Sequence, residues 1–365
     1  MLFPILREAN NVRFAYTIEF IWRKAVKSMK AAVPKPEKDK VKVALPNIGE
    51  RHQVHIINPK SGRGEGAAVY AAVEKSAAET GAEIRTSEYP GHIEEIAAEV
   101  CAKDPFVHII AYGGDGTVNE TVNGIMKANA GRTASFSVVP VGSGNDFSAF
   151  ANDSGVFQKA ELNKIDAVRV TCGDSVRYFV NMMNIGFDCS VVAEVATLKK
   201  LPFLHGSAAY IAGVAKTLIR KKTFRGKVTL EDVIAPDAPE EILPTETFDQ
   251  KILLTAAANS RYCGGGFCAA PLASLSDGRM DVLVIKNVTR LQFLTLVGAY
   301  RAGSYIDESG YMAPRFSRIL TYRKCRKFTI EGPELYCLDG EVRKTDAAHR
   351  VEAEVIPGAL WYAAL

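Results

Sequence analysis

No stretch of this 365-residue chain approaches the roughly eighteen consecutive apolar residues of a membrane-crossing helix. There is no basic-then-apolar leader either, because Glu8 interrupts the N-terminal pattern. Both absences set the expectation of a cytoplasmic protein. Cysteine is scarce and scattered: seven residues, at 101, 172, 189, 263, 268, 325 and 337, with no CxxC among them. An odd count at such spacings argues against a disulfide framework and predicts reduced, mostly buried thiols. Cys263 and Cys268 flank "GGGF", but no second pair exists to complete a zinc site. Internal repeats and low-complexity tracts are absent. Net positive charge is missing from the body of the chain. The net charge is +4, residues 1–50 carry +5, and the remainder sums to −1. That distribution argues against a nucleic-acid-binding body, so no nucleic-acid partner is expected.

What is present is ordinary for a soluble globular protein: 47% hydrophobic and 24% charged residues, in a chain long enough for two domains. Residues 11–30, "NVRFAYTIEFIWRKAVKSMK", read as a basic amphipathic helix, and "VPKPEKDK" reads as a polar linker. The helix either packs on the body or a partner chain, or lies at an anionic lipid surface. Residues 1–50 therefore form an extension.

From residue 51 the pattern alternates strand and helix. "QVHIINP", "AEIRTSEYPGH", "PFVHIIAYGGDGT" and "TASFSVVPVGSGNDF" read as strands. "AAVYAAVEKSAAET", "IEEIAAEVCAK" and "VNETVNGIMKA" read as the helices between them. The pattern predicts an α/β domain with a parallel sheet over 51–165, with ligands at the carboxyl ends of its strands. Over 166–365 the texture changes to short apolar or alternating runs between turns, which predicts a β-rich, sandwich-like domain. Two helical stretches interrupt it, near 206–221 and 290–303, and its last segment is free to return to the first domain.

Three glycine-rich turns follow strands of the first domain: "NPKSGRGEG", "GGDGT" and "GSGND". Exposed backbone N–H groups at such turns and at helix N-termini bind phosphate. The usual templates do not fit. GxxxxGK[ST] is absent, and "GRGEGA" places Ala68 or Val69 at the third glycine of GxGxxG. A P-loop NTPase and a dinucleotide Rossmann enzyme both lose ground. Asp115 and Asp146 stand beside two of the turns. A carboxylate beside a phosphate is repelled unless a divalent cation lies between them. The pair therefore points to Mg²⁺ with a nucleotide, and to phosphoryl transfer. Lys60 and Arg63 either face phosphate or are simply solvated, and His92 reads as a packing or capping residue.

"NPKSG", "GGDGTVNETVNG" and "VGSGNDF", in that order, resemble the catalytic domain of the diacylglycerol kinase family, which includes bacterial lipid kinases and is related to sphingosine and ceramide kinases. "KIDAVRV", "FVNMMNIGFD", "ANSRYCGGGFCAAPLASLSDGRMDV" and "LDGE" agree, so the likeness spans about residues 51–365. The resemblance implies ATP and Mg²⁺ as cofactors and an active site in the cleft between the domains. It implies a nucleotide site of Asn58 and Ser61 in the first loop, Ser87, the segment Gly113, Gly114, Asp115, Gly116, Thr117, Val118 and Asn119, and Ser143 with Asn145. Ser87 and Ser143 stand where relatives have threonine, and both keep the hydroxyl. Asp115 would hold the Mg²⁺ water network with Asp166 as its partner, and Asp146 would support the nucleotide side. Glu341 matches the general base that would take the proton of the lipid hydroxyl. A second, structural Mg²⁺ site would draw on Asp277 and the main-chain carbonyls of Ser274 and Arg279. The lipid would be met at a membrane surface, and a homodimer through the β-rich domain follows from the same likeness.

The leading expectation is an ATP-dependent lipid kinase, acting on diacylglycerol, a sphingoid base or another lipid alcohol. Two alternatives remain: an NAD kinase-like phosphotransferase, and a non-catalytic regulator that binds nucleotide or lipid. "GSGNDF" and "LDGE" speak against the first. The retention of Asp115, Asp146, Asp166 and Glu341 speaks against the second.

Overall fold

The computed structural model describes residues 51–64, 69–71, 73–74, 82–142, 144–153, 155–158, 161–198, 217 and 223–365. The chain divides into two compact units, residues 1–42 and 43–365. The basic helix expected over 11–30, the helix expected near 206–221 and Ser143 lie outside the described residues.

Four strands, β1 (Gln53–Ile57), β2 (Glu83–Thr86), β3 (His108–Gly113) and β4 (Ser135–Pro140), pair in parallel in the order β2–β1–β3–β4. Helices α1 (His92–Lys103) and α2 (Asp115–Lys127) connect them. β1, β3 and β4 are mainly apolar because both their faces are buried, whereas the edge strand β2 (EIRT) is half-exposed throughout. Val54, Ile56, Ile109, Phe136 and Val138 face a core shared with α1 and α2, and Ile57, Ile110, Tyr112 and Val139 fill a core on the opposite face. A short helix, α3 (Asp146–Ala151), follows β4.

The rest of the chain is largely antiparallel. It comprises β5 (Leu162–Cys172), β6 (Ser175–Phe179), β7 (Met182–Gly186), α4 (Phe187–Leu198), β8 (Phe224–Ala235), β9 (Ala238–Ala258), β10 (Tyr262–Cys263) and β11 (Phe267–Cys268). Then come β12 (Met280–Lys286), α5 (Arg290–Ala302), β13 (Leu320–Cys325), β14 (Lys327–Glu331), β15 (Leu335–Leu338), β16 (Glu341–Lys344) and β17 (Arg350–Ala363). Side-chain alternation along β9 and β12 splits two cores. Ala257, Val282 and Val284 point into the sandwich interior, while Leu254, Ala256, Leu283 and Ile285 meet α4 and α5; an irregularity near Leu253 returns Ile252 to the interior.

Local chemistry explains α5. Thr289 caps it with a reciprocal capping box to Gln292, and Gly303 closes it in the left-handed region. α4 is a helix that the strand-like run "NIGFDCSVV" did not announce.

The two halves are one hydrogen-bonded network. β17 pairs antiparallel with β5 over most of its length and with β14 over Arg350–Glu354, and on its other edge Trp361 and Tyr362 run parallel to Ser135 and Phe136 of β4. A register break between Ile356 and Leu360 separates the two roles. The boundary drawn at 165/166 falls inside β5, whose Ile165 and Ala167 belong to the α/β core together with Leu360 and Tyr362 of β17.

Candidate active site

The carboxyl ends of β1, β3 and β4 are neighbours, so the three glycine-rich turns meet. Asn58 follows β1. Its N–H donates to the Tyr112 carbonyl (3.1 Å) and its side-chain amide to Thr117 Oγ1 (3.3 Å). Lys60 Nζ reaches the Glu88 carbonyl (2.8 Å), and the Ser61 N–H closes on the Asn58 carbonyl (3.1 Å). Ser87 is buried and its N–H donates to the Ile57 carbonyl (2.9 Å).

The second and third turns touch backbone to backbone. A Cβ on Gly114 would lie 2.9 Å from the Gly142 Cα, and one on Gly144 would lie 2.7 Å from Asp115 Oδ2. Only glycine permits this approach. Asn145, held in the left-handed region at φ 55°, laces the third turn. It accepts from the Gly142 N–H (2.9 Å) and donates to the Gly142 carbonyl (2.8 Å). Gly116 faces open space. The first-turn N–H groups of α2 have no intrahelical acceptor.

Asp115 opens α2, where it accepts from the Phe147 N–H at 3.2 Å. Desolvation comes first, and then the charges of Asp146 and Asp339, in lifting its pKa from 3.8 to about 7. No cationic side chain figures among the groups that shift it. A desolvated carboxyl whose charged neighbours are acids is a fitting seat for a divalent cation.

The other expected acids do different work. Asp146 is buried and spends both oxygens on the β10–β11 turn, accepting from Gly265 N–H (2.9 Å) and Gly266 N–H (2.8 Å). It clamps the "GGGF" hairpin to α3. Asp166 is not the partner of Asp115. Its two oxygens take the N–H groups of Gly358 and Gly278, each at 2.7 Å, and the charge beside it is Asp277. The acids whose charges act on Asp115 are Asp146 first and then Asp339. Asp339 accepts from the Met182 N–H (2.9 Å) and from the Asn119 amide (2.9 Å), and burial lifts its pKa to about 6. "LDGE" contained it, but its turn-like Asp–Gly pair drew the eye to Glu341.

Glu341 is exposed at the start of β16, the last strand in the sheet order, just past the Asp339–Gly340 turn. Val118 belongs to the core: its side chain is buried among α/β-core residues and its N–H bonds the Gly114 carbonyl. Asn119 and Asn123 both reach the Tyr178 carbonyl, tying α2 to β6.

The turn expected to hold a structural Mg²⁺ is occupied by a lysine. Lys324 Nζ bonds Asp277 Oδ2 (2.8 Å), Asp281 Oδ2 (2.9 Å) and the Leu272 carbonyl (2.9 Å). Asp277 Oδ1 accepts from the Arg279 N–H (3.1 Å), and the Arg279 guanidinium is drawn away to Asp232. The Ser274 hydroxyl accepts from the Ser276 N–H at 3.4 Å. With an ammonium already satisfying Asp277, these residues do not make a cation site, and no step is derived through one.

Residues 52–177 match the diacylglycerol kinase catalytic domain, and residues 181–363 match the YegS C-terminal NAD kinase beta sandwich-like domain. The chain belongs to the diacylglycerol kinase catalytic-domain family. Its relatives include a "probable lipid kinase YegS-like" of Shewanella frigidimarina, 29% identical over 263 residues, covering 70% of this chain and 75% of the relative. A diacylglycerol kinase of Bacillus subtilis is 27% identical over 230 residues, covering 61% of this chain and 69% of the relative. The fold matches that of a diacylglycerol kinase from Bacillus anthracis with a TM-score of 0.58 at 19% identity, covering 86% of this chain and 97% of that one. This diacylglycerol kinase family member is thus a kinase, and its glycine turns come together beside the half-buried Asp115. No helix among the described residues is long and apolar enough to cross a membrane.

Proposed function

We propose that this kinase transfers the γ-phosphate of ATP to the hydroxyl of a lipid at a membrane surface. The observation that carries the reading is the convergence of three phosphate-type turns on Asp115, a carboxyl with only acidic charged neighbours. The first-turn N–H groups of α2 and the open face at Gly116 receive the phosphates. Asp115 holds Mg²⁺, with Asp339 adding negative charge behind it. When bound, Mg²⁺ offsets the charge that develops on the transferring phosphoryl group. Asn58 fixes Thr117 and the start of α2, and Asn145 fixes the third turn, so the cradle is rigid before nucleotide arrives.

A lipid hydroxyl is a poor nucleophile near neutral pH, and a positioned carboxylate that accepts its proton corrects this. Glu341 serves: it is exposed, and it lies two residues from Asp339, which is itself a charge neighbour of Asp115. Transfer of radiolabelled γ-phosphate to a panel of diacylglycerol, sphingosine, ceramide, undecaprenol and NAD tests the reading. Label entering a lipid, and lost in Glu341→Gln, is the expected result. Label entering NAD alone would overturn it.

A further inference from the structure

The turn between β11 and β12, where a structural Mg²⁺ was expected, carries a positive charge of the chain's own. Lys324 on β13 stands directly opposite Asp281 on β12, so strand pairing itself brings the lysine to the turn. An ammonium has three protons to donate. Lys324 donates all three, to Asp281 Oδ2 (2.9 Å), Asp277 Oδ2 (2.8 Å) and the Leu272 carbonyl (2.9 Å). Its side chain is only 18% exposed, and that of Asp281 is fully buried. The second oxygen of each carboxylate is also engaged. Asp281 Oδ1 accepts from the Tyr322 hydroxyl (2.7 Å), and Asp277 Oδ1 from the Arg279 N–H (3.1 Å).

The same turn is held from its other side by Asp166. The Leu275 carbonyl accepts from the Asp166 N–H, and the Gly278 N–H donates back to Asp166 Oδ2, both at 2.7 Å. The other Asp166 oxygen takes the Gly358 N–H. Asp166 lies on β5 and Gly358 on β17, two strands that reach both the sandwich and the α/β core. The turn therefore clasps the two halves, and Lys324 fixes its free side. The oxygens around Nζ stand at the spacing of charge-assisted hydrogen bonds, wider than the roughly 2.0–2.1 Å shell that Mg²⁺ demands. An ammonium in contact with Asp277 also repels a second cation from that carboxylate.

We propose that Lys324 is a tethered replacement for the structural cation. It supplies the charge that Asp277 and the buried Asp281 require, so the β-rich half holds its fold without a divalent ion. Any need for Mg²⁺ is then left to the nucleotide turns.

The test is thermal unfolding of the full-length chain, without nucleotide, in EDTA, in MgCl₂ and in CaCl₂. Asp115→Asn is carried in every sample, so that the nucleotide turns contribute no cation binding. With Lys324 present, the Tm is expected to be the same in all three solutions. Lys324→Ala leaves two carboxylates facing each other, and its Tm in EDTA should fall by about 5–10 °C. Much of that loss should return in CaCl₂, whose larger ion suits the wider oxygen spacing, and less in MgCl₂. A Lys324 chain that loses Tm in EDTA and regains it with Mg²⁺ overturns the proposal. So does a Lys324→Ala chain that loses no stability, or whose loss neither cation restores, because the lysine then acts by packing alone. If the alanine variant does not fold, the comparison with Lys324 in place still decides. No activity is read, so the result is independent of what the kinase phosphorylates.

Discussion

Asp115 and Asp146 are both first residues of helices, Asp115 half-buried and Asp146 buried, yet their partners differ and so do the expected effects of replacing them. Asp115 accepts backbone hydrogen bonds from Phe147, at 3.2 Å, and from Asp146, amid like charges, so Asp115→Asn relieves crowding. The variant should lose phosphoryl transfer by at least about 10²-fold while its Tm holds or rises, measured by label transfer and calorimetry. Asp146 receives two N–H groups from the glycine hairpin, so Asp146→Ala should cost about 2–4 kcal/mol and lower the denaturant midpoint. The pH dependence follows from the direction of the Asp115 shift. Its pKa rises from 3.8 unfolded to about 7 folded, so over that range the folded chain holds a proton that the unfolded chain has released. The contribution is full below pH 4 and is lost as pH rises through 7. Without nucleotide, the stability of the wild type relative to Asp115→Asn should therefore fall between about pH 4 and 7, read as a difference in Tm across that series.

At the scale of elements, the site is a contact between turns. Gly142 has no room for a side chain against the Gly114 backbone, so Gly142→Ala must push the second and third turns apart. It is expected to lower stability by about 1–3 kcal/mol and to weaken nucleotide binding, which calorimetric titration would show. These turns were legible in the sequence because each glycine cluster follows a buried apolar run, and that juxtaposition is local. The acid that completes the site was not. Asn119 and Asp339 bond across 220 residues, and no local pattern encodes that contact. Asp166 misled for the converse reason: its motif was recognisable, but the Gly278 and Gly358 N–H groups that claim it come from distant turns. α4 was missed because a valine-rich run after a strand reads as more strand when periodicity is the only guide.

For the whole molecule, β17 is the member that both halves share. Its upper part closes the sandwich against β14 and β5, and its end lies beside β4 under the nucleotide turns. Tyr362 is fully buried there, edge-on to Phe136 and Phe147 at 5.1 and 5.3 Å. Tyr362→Ala should therefore cost about 3–5 kcal/mol and unfold both halves in one transition, with tertiary and secondary structure signals lost together on heating. The same strand bears on how the protein is made. A chain leaves the ribosome N-terminus first, so the nucleotide turns emerge long before the strand that supports their sheet. A nascent or prematurely terminated chain thus has the phosphate motifs without the scaffold that aims them. Catalytic competence waits on the synthesis of β17, and a nonsense mutation just before that strand would leave a chaperone client in place of a weakened kinase.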